Sequence, residues 1–216
     1  MATNIVFFIF LIFHLSHAKV LDLSCSQIRT FVDGHNNNRY KLAKGEVPKQ
    51  PPASEMKYMI WDKELAAKAS QWASNNKFAH NPDRTVGSKR FTTGENIYMS
   101  FSTDLNHKLD ISGALSSWFD EYKHYTYGPL KASDFTGSGE AIGHYTQMVW
   151  SNSIYLGCGV SQNINKGRME YLVVCNYGPT GNYLGETPYK SNGSSSNQLL
   201  CVIKNCSRPY GEKYKN

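Results

Sequence analysis

Apolar positions recur at helical spacing early in the chain. Ile28, Phe31, Val32, His35 and Leu42 share one face, which predicts an amphipathic helix over residues 26–44. Gly45 and a proline-rich stretch over residues 48–52 close it. A second helix is predicted over residues 63–77, capped by Asp62, with Leu65, Ala66, Ala69, Trp72 and Ala73 as its buried stripe. Ile111, Leu115, Trp118, Phe119 and Tyr122 define a third. Residues 96–101, 156–162 and 169–177 read as strands, rich in β-branched and aromatic side chains. Helices and strands mix without a strand-helix-strand rhythm, which argues against a doubly wound nucleotide-binding sheet.

The two ends follow other patterns. Ile5 to Phe13 is an unbroken apolar run, followed by Ser16-His17-Ala18 with small residues at the positions a signal peptidase reads. Residues 1–18 are therefore expected to be a secretory signal peptide. Such a run rises only ~14 Å as a helix against a bilayer core of ~30 Å, so no transmembrane span is expected. Residues 19–183 carry the patterned elements and form the expected domain. Over residues 184–200 the composition shifts to Gly, Asn and Ser, the signature of a flexible linker. Residues 201–216 form a short basic tail, with Lys204, Arg208, Lys213 and Lys215 against Glu212.

Charge and cysteine content narrow the class. The 23 Lys and Arg against 17 Asp and Glu give a net charge of +6, which favours acidic protein surfaces, anionic lipid or sulfated glycans. No lysine-arginine block or base-stacking motif is present, so no nucleic-acid partner is expected. Five cysteines in a secreted chain imply disulfides with one thiol left over. Cys158 and Cys175 lie equidistant from Lys166-Gly167, so a hairpin turning there sets them opposite each other and predicts a bridge. The pairing of Cys25, Cys201 and Cys206 stays open. Asn192 and Asn205 each head an Asn-X-Ser glycosylation sequon.

Common catalytic signatures are missing: the chain has no GxSxG, no HExxH and no P-loop. It does contain GHYTQMVW at residues 143–150, LVVCNYGPTGNY at 172–183, HNNNR at 35–39 and GEN at 94–96. These four segments, in this order, resemble the signatures of the CAP superfamily, which includes cysteine-rich secretory proteins, venom antigen 5 and plant pathogenesis-related proteins of group 1. The venom antigen 5 branch is the nearest in wording, although the ten-cysteine C-terminal module of the snake-type relatives is absent.

The resemblance implies an α+β fold, a three-layer α/β/α sandwich around a three-stranded antiparallel sheet. It also implies a cleft tetrad of His80, Glu95, Glu121 and His144. Two imidazoles flanked by carboxylates suit a divalent cation, zinc above all, with the carboxylates holding the second ring N–H groups or binding through water. His35 and Arg39 are expected to hold the first helix to the body, and Ser151 has no neighbouring base that would make it a nucleophile. The function implied is that of a secreted venom-type protein acting by binding rather than turnover. Its partner would be an extracellular protein, either a voltage-gated ion channel such as a calcium channel or a protease, met by the basic tail. Metal-assisted hydrolysis in the cleft and sterol or lipid binding are the alternatives.

Overall fold

A computed structural model describes residues 18–136, 139–203 and 206–211. The expected signal peptide lies outside these residues except for Ala18. So do Lys204, Asn205, Lys213 and Lys215.

The first helix, α1 (Cys25–Lys44), starts at Ser24, whose side chain accepts from the Gln27 backbone while Gln27 reaches back to the Ser24 N–H. This reciprocal pair satisfies two of the orphan donors at a helix start. At the other end Gly45 takes φ 77°, a left-handed cap that suits glycine. Helix α2 (Lys63–Ala73) begins where Asp62 accepts from the Leu65 N–H, and it stops short of the predicted residue 77. Helix α3 (Ile111–Asp120) and the short α4 (Gly143–Met148) follow.

The sheet is built on three long antiparallel strands, β3 (Gly94–Ser102), β4 (Tyr155–Asn165) and β5 (Arg168–Gly178), with β5 in the centre. The expectation of three strands needs correction. Two-residue strands also join β4, with β1 (Lys19–Val20) antiparallel and β2 (Ile60–Trp61) parallel to it. Both are too short to leave a periodic signature in sequence. Between β4 and β5 the turn residues Lys166 and Gly167 have φ 48° and 75°, the doubly left-handed pair that matches strand twist in a two-residue hairpin. In that register Cys158 faces Cys175, and the two form a disulfide. Cys201 pairs with Cys206, and Cys25 is free and exposed.

Helices cover both faces of the sheet. On one side Ala69 and Ala73 of α2 pack on Ile97, Leu172 and Val174. Close approach there depends on Gly157 and Gly159, where a Cβ would come within 2.1 Å of the Ala66 nitrogen and 2.3 Å of the Ser70 nitrogen. On the other side α1, α3 and α4 enclose the larger core, including Phe31, Trp118, Tyr145, Met148 and Tyr177. The HNNNR segment lies on this buried face of α1, with His35, Asn36 and Arg39 all out of solvent. Asn36 pairs with both backbone groups of Met59, as a strand residue would.

Residues 184–200 do not form a free linker. Tyr189 is 2% exposed within the larger core, and the Ser151 N–H donates to the Pro188 carbonyl. Leu200 exchanges backbone bonds with Met56 and Tyr58. The polar composition hid these anchors because a single buried tyrosine and main-chain pairing suffice to lay a segment down. The tail is docked in the same way. The Trp61 N–H donates to the Pro209 carbonyl, the Tyr210 hydroxyl donates to Asp33, and the Arg29 guanidinium sits over the Tyr210 ring.

Deleting residues 201–216 is therefore expected to destabilise the domain. Loss of these bonds costs about 1–3 kcal/mol, or several degrees of melting temperature for a chain of this size. Calorimetry of the truncated protein checks this, and an unchanged transition would mean that the tail is only an appendage.

Candidate functional site

The two histidines of the expected tetrad come from different parts of the fold and line one cleft of about 340 Å³, together with Glu95, Asn96, Phe135 and Asn182. His80 lies on the loop between α2 and β3. That loop is held by the Trp72 indole N–H on the Ala79 carbonyl and by the Thr93 N–H on the Arg84 carbonyl. His144 occupies the first turn of α4, its ring stacked on Trp118 at 6.0 Å between centroids.

Each imidazole is oriented by one carboxylate. His80 Nδ1 lies 2.9 Å from Glu95 Oε1, which also accepts from the Asn81 N–H at 2.9 Å. His144 Nδ1 lies 2.6 Å from Glu121 Oε1, and Glu121 Oε2 accepts from the backbone N–H groups of His144 and Tyr145. A carboxylate can only accept, so both rings carry their proton on Nδ1 and leave the Nε2 lone pair uncommitted. The Glu95 side chain is 1% exposed against 50% for His80, which places the acid behind the base. Glu121, unlike Glu95, does not line the cleft.

Both carboxylates lie on the Nδ1 side of the rings, the position from which they hold the second ring N–H groups. Among the described residues no group of three or more His, Cys, Asp or Glu is arranged to hold a metal ion. The imidazoles that line the cleft are those of His80 and His144. Neutral Nε2 donors with carboxylate partners fit a borderline cation such as zinc, whose other positions would be left to water or a bound ligand. The chemistry such an ion supplies when bound is Lewis acidity toward those remaining ligands.

Two asparagines in the signature segments, given no role by the sequence reading, complete the site. Asn96 Nδ2 donates to the His144 carbonyl and to the Tyr177 hydroxyl, each at 3.1 Å. Asn182, at φ 58°, donates to the Gly143 carbonyl and accepts from Thr146 Oγ1. Both hold the start of α4 in place, and a buried-side asparagine inside GEN or GNY was the available signal.

Other candidates do not reach the cleft. The Ser151 hydroxyl donates to the Glu55 carbonyl, and both residues line a different cavity. Asn192 is exposed on the outer segment, where its side chain accepts from the Ser194 N–H. Arg208 is exposed near the tail disulfide.

A family model described as the cysteine-rich secretory protein family matches residues 32–177. Among curated proteins, the human GLIPR1-like protein 1 is 36% identical over 82% of this chain and 70% of its own length. Venom allergen 5.02 of Vespa crabro is 36% identical over 72% of this chain and 76% of its own. Among solved structures, the crystal structure of NaASP2 with Zn2+ superposes with a TM-score of 0.65 at 30% identity, covering 76% of this chain and 85% of that one. The motifs, the layered fold, the paired His-Glu cleft and these similarities together establish that the chain belongs to the cysteine-rich secretory protein (CAP) family and resembles its venom allergen 5 members.

Proposed function

We propose that this is a secreted, venom-type CAP protein that acts by binding an extracellular protein, and that its cleft takes a zinc ion between His80 and His144 without turnover. The observation that carries this reading is the use made of the two glutamates. Glu121 accepts three hydrogen bonds and Glu95 two, all from an imidazole Nδ1–H or a backbone N–H. A hydrolase would need one of them as a base toward water in the cleft, and here both serve to orient the rings. The relative that carries zinc supports the choice of ion.

The partner is a voltage-gated ion channel, with a calcium channel as the first to test. Support comes from the +6 charge, which steers a protein toward an acidic vestibule, and from Arg208, exposed on the docked tail. Patch-clamp recording of purified protein on a channel panel tests this directly, and a panel without effect would reject it. For the cleft, calorimetry should give zinc binding by the wild type and none measurable after His80→Ala with His144→Ala. Glu95→Gln or Glu121→Gln should weaken it by about 10–100-fold, as loss of a partner behind a ligating histidine does. Binding should also weaken on acidification, because only neutral imidazole offers a lone pair.

A further inference from the structure

Behind His80 lies a set of polar side chains that the cleft reading leaves unused. Thr93 Oγ1, Glu95 Oε2 and both side-chain atoms of Asn176 are buried with no hydrogen-bond partner among the described residues. Their residues are 2%, 7% and 0% exposed. They are neighbours by register. Glu95 on β3 stands directly opposite Asn176 on β5, which sets the Cβ atoms about 4.5–5.5 Å apart on one face of the sheet. Thr93 lies just ahead of β3, and it lines one cavity together with Glu95 and His80. That face is covered by α2, since Gly157, opposite Asn176 on its other side, touches the backbone of Leu65 and Ala66.

Four orphaned polar atoms in one place are costly. Each neutral group left unpaired in a core costs about 1–3 kcal/mol, and a carboxylate oxygen more. Buried groups of this kind are paired in folded proteins, by water where protein atoms do not reach. The chemistry here matches water. Glu95 Oε2 and Asn176 Oδ1 accept, Asn176 Nδ2 donates, and the Thr93 hydroxyl does either, which is the two-donor, two-acceptor complement of one molecule.

We propose that Thr93, Glu95 and Asn176 hold a buried water, and that Asn176 acts through it as a positioning residue for His80. The water pins Oε2 of the carboxylate, which keeps Oε1 on the His80 Nδ1–H and the Asn81 N–H. Without it Glu95 has one anchored oxygen and one bare one, and the stable arrangement is a rotated carboxylate that no longer fixes the ring. The water site itself does not depend on the metal. Its effect on zinc rests on the cleft reading above.

The test separates the two. In 15N-labelled protein, the Asn176 side-chain amide should show cross-relaxation to a long-lived water. The His80 ring should show the Nδ1–H tautomer, with His144 as internal control. Thr93→Val keeps the side-chain shape and removes the hydroxyl, so it should fold. It should lose both the water signal and the fixed His80 tautomer, leave His144 unchanged, and bind zinc about tenfold more weakly. Thr93→Ser should behave as wild type. Asn176→Leu should repeat the effect, and its melting curve reports whether it folds; the valine variant decides the matter if it does not. A missing water signal at Asn176 in the wild type, or a Thr93→Val protein whose His80 tautomer is unchanged, overturns the proposal. If wild-type protein fails to bind zinc while the water and tautomer effects appear, the water site stands and the cleft reading falls.

Discussion

Arg39→Met is expected to lower stability by about 4 kcal/mol or more, the largest effect of any single substitution considered for this fold. Arg39 is fully buried on α1. Its Nε donates to the Met148 carbonyl at 2.8 Å, one terminal nitrogen to Lys57 at 2.9 Å, and the other to Trp150 at 2.8 Å. One planar fork thus ties α1 to the end of α4 and to the segment before β2. Methionine keeps much of the aliphatic volume but leaves the Met148 and Lys57 carbonyls without their donor and the Trp150 carbonyl with only the Ser153 N–H. Each lost partner costs about 1–3 kcal/mol in a core, and a chain of this length loses about 2–4 °C per kcal/mol, so a drop on the order of 10 °C should appear in thermal unfolding followed by circular dichroism. Arg39→Lys should fall only partway back toward wild type, because a point-like ammonium cannot reach three acceptors arranged for a fork. A methionine variant that loses less than ~2 kcal/mol would show that water replaces the guanidinium and that the residue is not the clamp described.

Legibility of this fold in the sequence depended on how each feature is encoded. The helices and long strands were readable because a face or an alternation repeats over many residues, and the hairpin because Lys166-Gly167 supplies two left-handed conformers. The Cys158 to Cys175 register followed from that turn alone. What escaped was held by single contacts. The course of residues 184–200 rests on Tyr189 and a few main-chain bonds, and no composition rule reports those. In the cleft, residue types and motif order located His80, Glu95, Glu121 and His144, whereas which groups face the opening is a property of the third dimension. Glu121 stands behind His144 because its carboxylate also takes the N–H groups at the start of α4. Asn96, Asn182 and Asn176 escaped for a related reason: an asparagine in sequence does not reveal whether it faces water or a buried partner.

The same interior predicts an acid limit on stability, set by His35. Its Nδ1 lies 2.7 Å from the Phe31 carbonyl, which can only accept, so Nδ1 carries the proton and Nε2 accepts from the Tyr177 hydroxyl at 2.8 Å. Tyr177 in turn accepts from Asn96, whose amide also holds the His144 carbonyl. Protonating His35 would set a second N–H against the Tyr177 hydroxyl, which is already met by the Asn96 donor, and would leave a cation fully buried. Burial first, with the Arg39 charge as a smaller contribution, lowers the His35 pKa to about 3 against the partial opposition of the Phe31 carbonyl. The unfolded chain takes up this proton near 6.5. Between those values the unfolded state binds one proton more than the folded state, so stability rises with pH and is lost as pH falls through the window, by about 1.4 kcal/mol per unit. From pH 6.5 to 4.5 that amounts to roughly 2–3 kcal/mol. Below this range Asp83 and Glu64, held at about 2 chiefly by the Thr85 and Ser88 side chains, add their own acid dependence. Urea unfolding of wild type and His35→Gln at the two pH values isolates the term, because the remaining histidines contribute to both proteins alike. The glutamine variant should be less stable at pH 6.5 and nearly flat across the window while wild type declines. Parallel declines in the two proteins would place the acid sensitivity elsewhere and refute a buried, neutral His35 as its source.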